Sequence, residues 1–416
     1  MQQLSPIRRN LALFALALGG FAIGVTEFAT MGVLPEIARD LLPGFDASPD
    51  TVIARAGMLI TVYALGVVVG APLFSVFGAR MSQTRLAFWL LALFIVGTAL
   101  SACMPNFGTL AAFRFIAGLP HGAYFGVSAL LAARLMGPGS QGKGVALSLT
   151  GLTLANVVGV PLATWLGQAF GWRAVYLLVA FLFAVTMLLV VLFLPRFPGN
   201  PSRSPRSEIS ALLNPRIWVL IGVGAVGFGG FFAVYSYIAE VTTRETGLPA
   251  GAVPWVLSTL GIGMTFGNVF GGWASDRNLN RTALLGFVAF ILSMLAYTQL
   301  AGSAVGLIIG VLLVGFTSSV LLPAVQARLI RISNEAALFG AAINHAAFNV
   351  GNGLGAWLGG LAIAGGLGYL APGWVGAALA ALGALLLVVS IAIERRDKAR
   401  DLNTIGLPTI PTDPDQ

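Results

Sequence analysis

Apolar residues along the chain come in continuous runs of about 20 residues, each closed by a short polar segment. Such runs fall near 10–34, 53–76, 84–103, 109–132, 144–166 and 174–195, and again near 216–239, 253–275, 282–301, 303–327, 338–362 and 373–393. A helix rises ~1.5 Å per residue, so about 20 apolar residues cross ~30 Å of hydrocarbon. The pattern therefore predicts twelve transmembrane helices. A transmembrane barrel would need alternating rather than unbroken hydrophobicity. The segment "PRFPGNPSRSPRSEISALLNPR" (195–216) is rich in Pro, Ser and Arg, has no apolar periodicity, and reads as a linker between two sets of six. The expected organisation is all-α: a six-helix bundle over 1–195, a cytoplasmic linker over 196–215, and a second bundle over 216–393. A disordered cytoplasmic tail is expected over 394–416.

Composition agrees with an integral membrane protein. Of the 416 residues 57% are hydrophobic and 9% charged, with mean hydropathy +0.90. A soluble chain carries roughly a quarter charged residues. The net charge of +8 raises nucleic acid as a partner, but the distribution of the 23 Lys and Arg argues against it. With the N-terminus in the cytoplasm, 18 lie at the cytoplasmic ends of spans. Arg39, Arg55, Arg173 and Arg244 fall outside, and Arg114 falls within a span. This is the positive-inside pattern, with both termini cytoplasmic. Arg8 and Arg9 before an apolar stretch resemble a signal peptide. The run continues to Leu34 without a small-residue cleavage site, so it is expected to be a retained first span. A single cysteine, Cys103, excludes an internal disulfide, and two histidines exclude a His-rich metal cluster.

Two internal matches suggest a repeat. "GAPLFSVFGARMSQTR" (70–85) and "GGWASDRNLNR" (271–281) end the second and eighth spans, with Arg80 and Arg277 in matching places. "ATWLG" (163–167) in the fifth span resembles "GAWLG" (355–359) in the eleventh. With twelve spans in two pseudo-symmetric halves, the chain resembles the major facilitator superfamily. Gly272, Asp276 and Arg277 match the family's cytoplasmic GxxxDR loop motif, and "RFIAGLPHG" carries Arg114 at the place of the fourth-helix arginine. "ANVVGVPLATWLG" resembles the fifth-helix antiporter motif around Gly159 and Pro161, and "TEFATMGVLP", "HGAYFG" and "YSYI" resemble the bacterial drug and sugar efflux branch, near the arabinose-efflux type permeases. The first-half loop departs from the pattern, with Ala79 where an acid is usual and Ser82 and Gln83 where Gly and Arg are. That puts a latch in the N-terminal half in question.

The buried polar residues are the candidate chemistry. A charge at bilayer depth costs at least ~2.5–3.5 kcal/mol on insertion scales and faces the bundle interior or a partner. Glu27 lies about 7 Å outward of its span's midpoint, and Arg114 roughly 10 Å outward of its own. The shared layer suggests a Glu27–Arg114 pair, direct or through water. Burial penalises a carboxylate's charge and a nearby arginine favours it, so changing hydration would let Glu27 carry a proton. The competing reading is a static ion pair between two helices. His121 is suited to proton relay or, equally, to an interhelical hydrogen bond. Tyr124 is expected on its face. Gly118, Gly122 and Gly126 read as close helix packing. His345, Asn349 and Asn352 form a polar stripe at i, i+4 and i+7. With Asn344 they would bind a polyhydroxyl or heteroaromatic ligand, or join helices. Tyr235 and Tyr237 read as interfacial anchors or as gating and stacking groups, Asn156 precedes a bend at Gly159 and Pro161, and Asn268 reads as structural. Arg80, Gly272, Asp276 and Arg277 make a candidate cytoplasmic gate, in which an Asp276 ion pair would hold the outward-facing state closed inside.

The expectation is a proton-coupled secondary transporter of the bacterial inner membrane that exports small molecules (sugars, nucleosides or drugs) by alternating access. Direction rests on the resemblance alone, and an uptake symporter for a sugar or metabolite remains open. No nucleotide-binding loop suggests ATP, and no cofactor is implied. An intramembrane enzyme or channel would need an HExxH, paired acids or a filter loop that the chain lacks. The expected partners are a small-molecule substrate, protons and lipid, with a monomeric chain.

Overall fold

The computed structural model describes residues 5–78, 81–137, 141–197, 215–333 and 337–404, with the side chains of 75–77, 141–146, 149, 330–333, 337–344 and 397–404 excepted. Every regular element among them is helical. In chain order the long helices are α1 (Pro6–Gly32), α2 (Pro49–Phe74), α3 (Gln83–Cys103), α4 (Phe107–Met136), α5 (Thr150–Phe170), α6 (Trp172–Phe193), α7 (Pro215–Glu245), α8 (Ala250–Arg277), α9 (Leu279–Leu300), α10 (Ala304–Leu329), α11 (Ala337–Ala364) and α12 (Ala371–Thr404). Eleven of these, all but α11, are long and apolar enough among the described residues to cross a membrane. The first eight side chains of α11 lie outside the described set.

Prolines set the interruptions. Pro35 ends the first apolar run early: α1 stops at Gly32, and a separate short helix, Leu34–Leu41, follows. Pro120 breaks α4 after Gly118 and puts His121 at the start of its second segment. In α5 the backbone widens to a π-turn over Ala155–Gly159. Pro161 has no N–H for the Val157 carbonyl four residues back, and the Ser258 hydroxyl of α8 donates to that oxygen at 3.4 Å. A sequence feature of α5 is thereby completed by the opposite half. The helices that carry the internal sequence matches are also those that meet across the halves, α2 against α11 and α5 against α8.

Small residues let these helices approach. A side chain at Gly151 of α5 would run into the α1 backbone at Ala17, so only glycine fits there. The short helix Leu34–Leu41 is tied to α6 by Asp40, whose carboxylate accepts from Arg173 at 2.5 Å and from the Trp172 indole at 3.0 Å. Those two donors hold the Asp40 carboxyl below its ordinary range.

The tail expectation needs correcting. The final helix continues through Thr404, because residues 394–404 hold no Pro or Gly and Glu394 is anchored to Arg328 at 3.2 Å. Residues 405–416 and 198–214 of the linker lie outside the described residues.

Two outcomes follow from this packing. Gly151→Leu is expected to cost on the order of 1–3 kcal/mol, read as a lowered Tm of the solubilised protein, because the backbone in its way cannot rotate aside. The half-exposed Asp40 contact is worth about 0.2–1 kcal/mol. Because the folded-state pKa is depressed, that contribution is present above the unfolded value and lost as pH falls through the folded one. The stability difference between the protein and Asp40→Asn is therefore expected to vanish in acid.

Candidate functional site

Glu27 sits at the contact between the two halves. Its side chain is 6% exposed, and Oε1 accepts a hydrogen bond at 3.0 Å from Nδ2 of Asn352, on α11. Oε2 stands 3.9 Å from Nε2 of His121 on α4. The other imidazole nitrogen, Nδ1, is 3.0 Å from the Tyr63 hydroxyl of α2. A chain of polar groups thus runs from Tyr63 through His121 and Glu27 to Asn352, walled by apolar side chains. Burial strengthens each of these bonds and makes an unpaired carboxylate costly.

The expected direct Glu27–Arg114 pair does not form. Arg114, 1% exposed, instead donates to the Thr26 hydroxyl at 3.1 Å and the Thr26 carbonyl at 3.2 Å. Its guanidinium lies 4.2 Å from the Tyr63 ring centroid and 5.5 Å from that of Tyr176. Threonine and two aromatic faces therefore hold the cation, with its field still reaching Glu27. The depth argument placed both charges in one layer correctly but could not assign their rotation about α1 and α4.

Below Glu27 lies a cavity of about 180 Å³ between α1, α4, α5, α7, α8, α10 and α11. Its apolar wall is Phe28, Phe228, Phe231, Phe232, Phe348, Met264, Leu152 and Leu322. Its polar positions are Glu27, His121, Thr153, Asn156, Asn268, Ser318, Ser319, Gln326, His345 and Asn349. Of the residues expected in the substrate cavity, Asn156, His345 and Asn349 line it, as does Asn268. Asn352 lies behind Glu27 as its partner. The Asn344 side chain is outside the described residues.

The three tyrosines expected to line the cavity do not. Tyr124 is fully buried, packed into the space left by Gly19, and donates to the Leu16 carbonyl at 3.3 Å. It fastens α4 to α1. Tyr237 donates to the Ala356 carbonyl at 2.7 Å, and Tyr235 packs behind Phe28 and Phe231 at ring-centroid distances of 5.0 and 5.3 Å. Sequence reading passed over the phenylalanines, although Phe228, Phe231 and Phe232 are spaced i, i+3 and i+4 and so share one face of α7.

On the side of Glu27 away from the cavity the halves are joined. Thr61 of α2 donates to the Gly353 carbonyl at 3.1 Å, Gln168 to the Ala250 carbonyl at 3.0 Å, and Tyr369 to Asp50 at 2.6 Å. Burial and the Asp50 bond push the Tyr369 phenol up from its ordinary range. Glu240, 2% exposed, pairs at 2.5 Å with the exposed Arg244, a contact that the span boundaries had hidden. Of the gate residues, Asp276 and Arg277 are exposed at the end of α8. Arg277 stacks 3.7 Å from the Trp273 centroid and donates to the Trp273 carbonyl at 3.3 Å. No ion pair joins Asp276 to another described residue. Gly272 has open space around it, and Arg80 lies outside the described residues. The buried cation at this end is Arg328, bonded to Asn280, to Ser390 at 3.2 Å and to Glu394.

Comparison with known proteins bears on this arrangement. Residues 16–244 and 230–412 match the family model of the Major Facilitator Superfamily. The inner membrane transport protein YdhP of Escherichia coli K12 is 38% identical over 382 residues, covering 92% of this chain and 96% of that protein. The putative transporter AraJ of the same strain is 31% identical, covering 95% and 98%. Among solved structures, a D-xylose–proton symporter superposes with a TM-score of 0.73 at 16% identity, over 91% of this chain and 97% of that one. A bacterial homologue of the lysosomal transporter Spinster, solved inward-facing and unoccupied, gives 0.69 at 17%, over 94% and 96%.

Arg114→Lys removes the forked donor on Thr26 and much of the ring stacking, while keeping the charge. A loss of about 1–3 kcal/mol is expected, measured as a lower Tm.

Proposed function

The chain belongs to the Major Facilitator Superfamily, and we propose that it is a multi-pass inner-membrane transporter that exports a small organic molecule in exchange for protons. The observation that carries this reading is the position of Glu27. It is the acid that touches both the cavity and, through Asn352, the opposite half. The ionised form accepts the Asn352 hydrogen bond more strongly than the neutral form does, since bonds to a charged acceptor are roughly twice as strong. Protonation at Glu27 therefore loosens the link between α1 and α11, and deprotonation restores it. On this reading His121 lies on the proton's route: Nδ1 meets the Tyr63 hydroxyl at 3.0 Å, and in the tautomer where that phenol donates, the neutral ring carries its proton on Nε2, facing the carboxylate. Arg114 remains a fixed cation that limits how long Glu27 stays neutral.

The cavity lies on the expected cytoplasmic side of Glu27, and the hydrogen bonds Thr61–Gly353 and Tyr369–Asp50 close the other side. This geometry suits loading from the cytoplasm, and rocking of the halves would break those bonds to open outward. Export is favoured by the resemblance to the efflux branch noted from the motifs. Uptake in symport with protons uses the same parts in reverse. Vesicle orientation distinguishes the two: export predicts accumulation in everted vesicles acidified inside.

In proteoliposomes, Glu27→Gln is expected to abolish substrate movement driven by an imposed pH gradient while leaving substrate exchange at zero gradient. Full gradient-driven transport by that variant would remove the coupling role.

A further inference from the structure

The cavity wall holds two polar atoms that nothing among the described residues satisfies. Asn156 on α5 and Asn349 on α11 are each 3% exposed. Each side-chain amide donates back to its own helix, Asn156 Nδ2 to the Leu152 carbonyl and Asn349 Nδ2 to the His345 carbonyl, both at 3.0 Å. Those bonds fix the orientation of both amides, because a backbone carbonyl accepts and never donates. The two carboxamide oxygens have no partner among the described residues. A buried acceptor left unmade costs about 1–3 kcal/mol. The two come from opposite halves of the molecule and line the same cavity.

Resting on the transport reading above, we infer that the substrate is a single-ring aromatic molecule bearing at least two hydrogen-bond donors and no negative charge, such as a phenol with an aminoalkyl arm, whose donors are taken by Asn156 and Asn349. Three observations lead to this class. The buried wall atoms with no partner among the described residues are both acceptors, the two amide oxygens, and the Glu27 carboxylate beside them adds a further acceptor. The nearest buried cation, Arg114, is spent on Thr26 and does not line the cavity, so an organic anion would meet uncompensated carboxylate and amide oxygens. Five phenylalanines make up most of the apolar wall and bury a flat ring well, which a hexose lacks. Size agrees. An apolar cavity of roughly 150 Å³ accommodates benzene, so about 180 Å³ accommodates one substituted ring. A ligand held by one donor on each half also bridges α5 and α11, which gives the substrate leverage on the same interface that Glu27 controls.

The test is binding to the full chain in lipid nanodiscs by calorimetry, with tyramine, 4-hydroxyphenylacetate and D-xylose as probes. Tyramine is expected to bind at least tenfold more tightly than the other two. Asn156→Leu and Asn349→Leu are each expected to weaken tyramine about tenfold with no fall in Tm, since leucine removes the unsatisfied oxygen at similar volume. Equal or tighter binding of the anion or the sugar overturns the proposal. So does unchanged tyramine affinity in both variants, or a lowered Tm in both, which would mean that water or a structural bond satisfies the oxygens. The transport reading stands or falls separately: tyramine that binds as described but never moves with a pH gradient contradicts proton exchange, not the ligand class.

Discussion

A carboxylate held out of water against a carboxamide from the other half of the molecule is the constraint on which the rest depends. The hydrogen bond from Asn352 to Glu27, 3.0 Å long, crosses the boundary between the halves that the proposed transport cycle must open. In a medium that screens poorly, such a bond is strong while the acid is charged and weaker when it is not. On the function proposed above, the chemistry of one proton is thereby tied to the packing of α1 against α11. The hydrogen bonds beyond it, at Gly353, Ala250 and Asp50, add to closure without a titrating group at bilayer depth.

Backbone irregularities put the polar groups where this works. Pro120 interrupts α4 so that His121 begins a new segment facing Glu27. Pro161 and the π-turn of α5 leave a carbonyl that α8 satisfies through Ser258, so the bend in one half is stabilised by the other. Such interruptions are tolerated within a membrane only where they are buried in protein and their polar groups are met.

Much of the architecture was legible in the chain, because hydrocarbon thickness dictates run length and the cost of a buried charge marks Glu27 and Arg114 as special. Their partners were not legible. A depth argument gives height along the membrane normal but not azimuth, so Arg114 stood as the natural partner of Glu27. The actual one is Asn352, 325 residues away in sequence. The same blindness put Tyr124 in the cavity, when the room made by Gly19 draws it toward α1. It also hid the phenylalanine wall, since apolar residues facing a cavity and those facing lipid look alike in a sequence. Glu240 escaped because α7 runs to Glu245, beyond the end of its apolar run.

The most direct measurement is the distance between spin labels on loops of the two halves, at Ala47 and Leu367 in a Cys103→Ser background, followed across pH in nanodiscs. Both positions are exposed, and they flank the Asp50–Tyr369 bond. The distance distribution of the otherwise native chain should shift to longer separations as Glu27 takes up its proton, and that of Glu27→Gln should be independent of pH. If both proteins show the same pH-dependent shift, or neither shows any, Glu27 does not govern the contact between the halves.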